Sequence, residues 1–270
     1  MKPGIQRRLV NLANAAAVFA ALLVLWQLVL WIFHVKPFML PSPWAVARAF
    51  CGRFSSILTA VEITGEESAA GLLASIATGV LVSLIFAQSR WVRRMLYPYT
   101  LLLQTVPIIA VAPLILQWIG AGTASVAAIA FIISLAPIIF NTTQGLISVD
   151  ENLVELFLMH NASPSQLLFK LRLPHAVPSL FVGMRIASGI SVVGAFTGEL
   201  YAGSSRVGEG GLGYSILYAS SQLQTDYLFA LVLATALLGF AFFFLVIFVE
   251  WYFLHNWHES ARVADADSDS

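Results

Sequence analysis

Long apolar stretches constrain this chain more than any other feature, because a helix needs about 20 such residues to cross a bilayer. Six stretches reach that length. The first, NAAAVFAALLVLWQLVLWIFHV, is too long for the apolar part of a signal peptide, and no small-residue cleavage pattern follows it. We therefore interpret it as a retained helix. The six predicted membrane helices cover residues 13–35, 68–89, 96–120, 125–146, 178–200 and 227–253.

The composition agrees with an all-α membrane protein, since 59% of the residues are hydrophobic and only 10% are charged. The formal net charge is zero and no basic patch carries interleaved aromatic residues, which argues against a nucleic-acid partner. The single cysteine, Cys51, excludes an internal disulfide framework and a multi-cysteine metal site. No His-Glu-x-x-His pattern occurs, so we expect no metal site.

The distribution of lysine and arginine predicts the orientation in the membrane. Ten of these residues fall on the side of the N-terminus and four on the other side: Lys36, Arg48, Arg53 and Arg206. The cytoplasmic parts are therefore predicted to be residues 1–12, the segment 147–177 between the fourth and fifth helices, and the C-terminal tail. Residues 13–255 would form the membrane domain, and the acidic tail 256–270 is predicted to be disordered.

Prolines inside two of the predicted helices remove backbone hydrogen bonds and are expected to bend them. Pro107 and Pro113 lie in the third predicted helix, and Pro137 lies in the fourth. Small residues recur in the second and fifth predicted helices, where they allow close helix packing. Bent helices with few charges suit a solute pathway better than a rigid anchor.

The segment 147–177 is much less apolar than its neighbours but keeps helical spacing. Ser148 is predicted to cap a first short helix, with Glu151 at the third position of a capping box. Asn161 would then take a left-handed conformation at a bend. Such amphipathic helices either lie on the membrane surface or dock into another protein. Docking is favoured, because the polar face is not strongly basic.

A second short helix is predicted after the bend, with Ser163 or its neighbour as the cap and Pro164 at the first helical position. Pro174 and Pro178 are expected to end this helix before the fifth membrane helix begins.

The same segment resembles the cytoplasmic loop of permeases from binding-protein-dependent ABC importers. That loop reads Glu-Ala-Ala, three residues, Gly, nine residues, Ile, one residue, Leu-Pro. The matching positions here are Glu155, Asn161, Leu171, Leu173 and Pro174, while Leu156 and Phe157 replace the alanines. The stretches VPIIAVAPLILQWIGAGTAS, GMRIASGISVVGAFTGEL and GEGGLGYSI are similar to the nitrate, sulfonate and taurine branch. Glu66 and Glu67 stand near a position that is usually basic there.

The resemblance implies a type I ABC importer permease in the bacterial cytoplasmic (inner) membrane, with both termini in the cytoplasm. Residues 151–161 would form a coupling helix that docks into a separate ATPase subunit, where Glu155 pairs with a basic group. Leu173 and Pro174 would fix the angle of this helix to the fifth membrane helix. The implied partners are a dimer of ATPase subunits, a second copy of the permease in a homodimer, and an extracytoplasmic solute-binding protein.

The chain itself is not expected to be an enzyme. A nucleotide-binding loop needs Gly-Lys followed by Ser or Thr, and the sequence contains no Gly-Lys dipeptide. The segment GSSR at 203–206 does not match a nucleophile elbow. ATP would therefore be bound by the partner subunit, and the permease would need no cofactor.

A few polar residues inside the predicted helices are candidates for the solute pathway or its gate, because charge inside a membrane is costly. Arg185 and Glu199 lie near opposite ends of the fifth helix, too far apart to act together. Arg185 is more readily explained by snorkelling or by an ion pair with another helix. The uncharged candidates are Gln104, Thr105 and Asn141.

The branch implies a small anion such as nitrate, a sulfonate or taurine as the solute. The alternative within the same role is a vitamin-precursor heterocycle of the thiamine-pyrimidine or riboflavin type. A transporter of another class, working without ATP, would predict an inverted repeat and carboxylates at the membrane midplane. No clear repeat is seen, and no Asp lies inside a predicted helix.

Overall fold

The structure is a computed structural model that describes residues 3–202 and 210–255, and every regular element in these ranges is a helix. Arg206, the segment GSSR and the predicted disordered tail 256–270 lie outside the described residues. The helices are α1 (Pro3–Ile32), α2 (Pro43–Gly52), α3 (Phe54–Gln88), α4 (Arg90–Thr105), α5 (Ile108–Ile119), α6 (Thr123–Ile147), α7 (Glu151–Met159), α8 (Pro164–Leu167), a π-helical turn (Leu168–Arg172), α9 (Leu173–Ala202), α10 (Leu212–Ser221) and α11 (Thr225–Leu254).

Among the described residues, four helices are long and apolar enough to cross a membrane: α3, α6, α11 and the continuous helix Pro164–Ala202. The pair α4–α5 makes a fifth candidate, although its two halves are bent by 101°. Within the residues whose side chains are described, α1 contributes a shorter apolar helix, Ala16–Ile32. These findings support a multi-pass helical protein and leave the predicted number of six spans as an expectation.

The third predicted helix, 96–120, is divided into α4 and α5. Proline has no N–H group and pushes the preceding residue out of the helical region. Val106 accordingly has φ −69° and ψ 121°, and α5 begins directly after Pro107. The predicted bend is confirmed at this proline. Pro113 and Pro137, in contrast, lie inside helices α5 and α6, which continue past them.

The core is built around α6, which packs between α3 and α9. A β-carbon at Gly71 of α3 would lie 2.6 Å from Ala130 Cβ on α6. A β-carbon at Gly194 of α9 would lie 2.8 Å from the α-carbon of the same alanine. Both glycines are therefore needed for the close approach of the three helices, as the small-residue pattern predicted. Gly189 differs, since no described residue of another helix lies within 4 Å of its β-carbon position.

Helix α3 begins 14 residues before the predicted span 68–89, at Phe54. The apolar stretch marks only the part of a helix that suits hydrocarbon, whereas the helix itself continues through residues that favour helix, such as glutamate. The extension places Glu66 and Glu67 inside α3.

Two predicted helix boundaries around the segment 147–177 are wrong. Ser148 ends α6 instead of starting α7, whose cap is Asp150; the Asp150 carboxylate accepts a hydrogen bond from Asn152 N at 2.9 Å. Asp150, not Ser148, is the N-cap because it directly precedes the helix. Glu151 is therefore the first helical residue, not the third.

Pro174 and Pro178 also do not end a helix, because the chain stays helical from Pro164 to Ala202. The π-helical turn Leu168–Arg172 precedes Pro174, and Leu173 N bonds to Leu168 O, five residues back. This wider turn gives the proline ring room within the helix.

Candidate functional site

Helix α7 projects from the helical body, and none of its residues is buried. Four large apolar side chains on this helix are exposed: Leu153, Leu156, Leu158 and Met159. Glu151 and Glu155 are also exposed and lie four residues apart, so both carboxylates fall on one side of the helix. A helix with uncovered apolar residues beside two acidic groups is suited to contact with another protein.

The bend after α7 is held by backbone and side-chain hydrogen bonds. Asn161 has φ 54°, which confirms the predicted left-handed conformation. Ala162 N bonds to Phe157 O at 3.0 Å, a pattern that closes helix ends. Ser163 caps α8 and Pro164 is its first residue, as predicted, and Ser163 and Gln166 also form a reciprocal capping box that was not predicted. The orientation of α7 to the following helix is therefore well defined.

An open pocket of about 280 Å³ lies between α7 and the helix that follows the bend. Its lining combines apolar side chains with the polar ends of three residues, which suits an amphipathic partner. The lining residues are Leu156, Phe157, His160, Ala162, Gln166 and Lys170.

The second half of the segment is fixed to the membrane helices. Leu168 is buried in a cluster with Ala87 of α3 and Leu146 of α6, and Leu173 packs against this cluster. Arg172 Nη1 donates a hydrogen bond to Ala87 O at 2.9 Å. Leu171, Leu173 and Pro174 are half-buried here, whereas Glu155 and Asn161 remain exposed. The predicted motif is thus divided into a projecting part and an anchored part.

A second site surrounds Glu199, whose side chain is only 3% exposed. Thr64 Oγ1 donates to Glu199 Oε1 at 2.6 Å, and Gly213 N donates to Glu199 Oε2 at 2.5 Å. Leu212 N donates to Thr64 Oγ1 at 2.8 Å. The carboxylate therefore lies at the N-terminus of α10, where free N–H groups and the helix dipole favour negative charge. It connects α3, α9 and α10.

Two glycines at the start of α10, Gly211 and Gly213, make room for this carboxylate. A side chain at Gly211 would overlap the Glu199 carboxylate, and one at Gly213 would overlap Phe196 O. The backbone of α10 can thus approach α9 only because both positions lack a β-carbon.

Glu67 is a further residue of this site that the sequence analysis did not identify as functional. It is 4% exposed and lies near Glu199, and among the described residues its Oε2 has no hydrogen-bond partner. Thr64 was missed as well. The Glu66–Glu67 pair was the sequence feature that pointed to this site. Its meaning was not clear from the sequence because both residues precede the predicted span 68–89, whereas the structure places them inside α3.

The other pathway candidates are separate from this site. Arg185 Nε forms an ion pair with Glu250 Oε2 of α11 at 3.3 Å, which agrees with the preferred interpretation of Arg185. Asn141 Nδ2 bonds to Pro137 O, and Thr105 Oγ1 bonds to Leu102 O, both within their own helices. Gln104 is exposed near the α4–α5 break. Within residues 3–202 and 210–255, the five candidates form no side-chain hydrogen bonds with one another.

Known proteins with similar sequences are membrane permeases, which agrees with the helical membrane architecture described above. The family model of the binding-protein-dependent transport system inner membrane component matches residues 75–253. The formylaminopyrimidine transport permease protein of Halalkalibacterium halodurans is 33% identical over 82% of this chain and 86% of its own length. The riboflavin transport system permease protein of Chloroflexus aurantiacus is 33% identical over 85% of this chain and 84% of its own.

A putative aliphatic sulfonates transport permease protein of Escherichia coli is 30% identical over 81% of this chain and 82% of its own length. The match agrees with the predicted nitrate, sulfonate and taurine branch. The helical architecture, the projecting α7 and the family match lead to one conclusion: this chain belongs to the family of inner membrane components of binding-protein-dependent transport systems, as an ABC transporter permease.

Proposed function

We propose that the chain forms the solute pathway of an ATP-driven importer and that α7 is the helix that docks into a separate ATPase subunit. The projection of α7, with exposed apolar residues beside a pocket, carries this proposal. Glu155 is the residue proposed to pair with a basic group of the ATPase, since it is exposed on the projecting helix.

The helix Pro164–Ala202 suggests how motion at α7 reaches the other side of the membrane. It has 39 residues and is therefore about 60 Å long. One end adjoins α7, and the other end holds Glu199 at the start of α10. ATP-driven closure of the ATPases would displace α7 and tilt this helix as a unit. Such a rigid-body change can alternate the pathway between two states.

The complete importer is proposed to contain two copies of this permease, two ATPase subunits and an extracytoplasmic solute-binding protein. The proposed orientation places both termini, residues 1–12 and 256–270, and α7 in the cytoplasm. This orientation is supported by the lysine and arginine distribution. In it, the Glu199 site and α10 face the binding protein.

Two solute classes fit this role, a small anion and a vitamin-precursor heterocycle. The 33% identity to the formylaminopyrimidine and riboflavin permeases, against 30% to the sulfonate permease, supports testing the heterocycle first. The ion pair of Arg185 with Glu250 also leaves this cation neutralised by the protein itself. A cation engaged in this way gives no support to anion binding at its position.

Affinity purification of the tagged chain from mild detergent tests the coupling role. We expect an ATPase subunit to co-purify with the native chain and to be lost in Glu155→Arg. Glu66→Arg is a matched control, because Glu66 is also an exposed helical glutamate but lies on α3, far from α7 in sequence. If the folded native chain brings no ATPase and transports solute on an ion gradient alone, the secondary-transporter alternative replaces the importer.

A further inference from the structure

Four arginines gather where α3 ends and α4 begins; we call Arg90, Arg93, Arg94 and Arg172 the arginine cluster. Arg172 Nη1 donates to Ala87 O at 2.9 Å, and Arg93 Nη1 lies 3.5 Å from Phe86 O. Both carbonyls belong to the last turn of α3, which carries a partial negative charge. Capping of α3 therefore accounts for two of the four arginines.

The other two arginines have no such role. Arg90 and Arg94 are exposed and lie four residues apart on α4, so their side chains share one face. Arg90 and Arg93 are close enough to Arg172 to repel its charge. The ion pair found within the described parts of the chain is Arg185–Glu250. No carboxylate among those residues forms a salt bridge with the arginine cluster, so its positive charge is available to an external anion.

An apolar stripe on α4 lies beside the arginines. Trp91, Met95 and Tyr99 follow at four-residue spacing and are 71%, 51% and 65% exposed. Tryptophan and tyrosine concentrate where lipid headgroups meet hydrocarbon. The stripe therefore indicates that the start of α4 lies at a membrane surface, with the arginine cluster at headgroup level.

We propose that the arginine cluster binds the phosphate headgroup of an anionic phospholipid, whose acyl chains lie along Trp91, Met95 and Tyr99. Guanidinium groups bind phosphate oxygens through strong charge-assisted hydrogen bonds. Basic pockets between membrane helices suit anionic headgroups. An acidic surface of a soluble protein would match the charge but would leave the apolar stripe uncovered. The lipid site is independent of the transport mechanism and requires only that the α3–α4 junction lies at the membrane surface.

Native mass spectrometry of the detergent-purified full chain tests this site, with phosphatidylglycerol and phosphatidylcholine as probes. The native chain is expected to retain phosphatidylglycerol in preference to phosphatidylcholine. The double variant Arg90→Gln/Arg94→Gln should weaken phosphatidylglycerol binding about 30-fold. Each basic residue near an anionic headgroup raises the affinity about fivefold, and the variant removes two of them. Arg90→Lys/Arg94→Lys keeps the charge and should retain most of the binding.

Arg48→Gln is the matched control, because Arg48 is also exposed and lies beside an exposed tryptophan, Trp44, but stands outside the arginine cluster. It should bind phosphatidylglycerol like the native chain. Equal retention of both lipids by the native chain would overturn the proposal, as would unchanged binding in Arg90→Gln/Arg94→Gln. Unchanged lipid binding with loss of the ATPase would instead assign the cluster to a protein contact. If the double variant does not fold, the lipid preference of the native chain and its decrease with added salt decide the question.

Discussion

Among single residues, Thr64 of α3 connects its helix to both α9 and α10. Its hydroxyl oxygen accepts a hydrogen bond from Leu212 N of α10. Its hydroxyl proton lies within hydrogen-bonding distance of two acceptors, Glu199 Oε1 and Ala60 O. Thr64 is fully buried, so water cannot replace these bonds. A buried donor that loses its partner is destabilised by the full cost of its desolvation.

Thr64→Val should therefore destabilise the protein by about 1–3 kcal/mol, because Leu212 N and Glu199 Oε1 lose the hydroxyl that bonds to them, while Glu199 Oε2 keeps its bond from Gly213 N. Thermal unfolding in detergent measures the effect. Thr59→Val is the control on the same helix, since the exposed Thr59 hydroxyl bonds to Ser55 O of its own turn. Equal melting temperatures for the two variants would show that the Thr64 connection contributes nothing to stability.

The ion pair of Arg185 and Glu250 joins α9 to α11, and both side chains are only partly exposed. Single changes to Gln at either position should each destabilise the protein. The double variant should be less unstable than the sum of the two, with a coupling of about 1 kcal/mol. A double-mutant cycle in thermal unfolding measures this coupling. Strictly additive effects would show that the two charges do not interact.

Among the elements, α7 and the helix Pro164–Ala202 act as an angled pair. The angle is set at Asn161, which has a left-handed backbone conformation. A β-branched residue in this conformation is roughly 1–2 kcal/mol less stable than Asn or Gly. The capping box at Ser163 then starts the next helix in one direction. Together they fix where the exposed side of α7 faces.

Asn161→Gly should keep ATPase co-purification at the native level, whereas Asn161→Val should reduce it several-fold because it alters the bend. Pull-down of the ATPase at matched permease amounts measures both variants. Asn152→Val, on the exposed side of α7, separates a general effect of valine from an effect on the bend. Comparable ATPase recovery with Asn161→Val and Asn161→Gly would contradict the role of the left-handed residue.

At the scale of the whole molecule, α6 holds the helical body together. Gly71 of α3 and Gly194 of α9 approach the same alanine, Ala130, from two sides. In a membrane such close contacts stabilise helix association through van der Waals packing, because lipid is as apolar as the side chains. A group added at this contact must separate two helices, and the packed interior resists that change.

Gly71→Ala should therefore lower stability by about 1–3 kcal/mol, since its methyl group would overlap Ala130. Gly239→Ala is the matched control, because no described residue of another helix lies within 4 Å of its β-carbon position on α11. The control should be neutral or stabilising by up to about 1 kcal/mol through helix propensity. Thermal unfolding distinguishes them, and equal stabilities of Gly71→Ala and Gly239→Ala would contradict the packing of α3 on α6.

Local patterns in the sequence determined the helical membrane architecture, the family, the left-handed Asn161, the start of α8 at Pro164 and the break at Pro107. Each depends on residues a few positions apart, whose apolar spacing or backbone preferences act directly on the nearest helix. Local patterns failed where two candidates competed within a few residues, as at Ser148 and Asp150. They also failed at Pro174 and Pro178, where a π-helical turn next to the first proline compensated for its ring.

Only the tertiary structure decided the partners of buried polar groups. Thr64 and Glu199 are 135 positions apart, and Arg172 and Ala87 are 85 apart. No local preference can specify which side chain will satisfy a buried carboxylate, because that depends on how α3, α9 and α10 pack. The sequence therefore determined that Glu199 was unusual inside a membrane helix. The folded chain determined that it binds the start of α10, with Glu67 beside it.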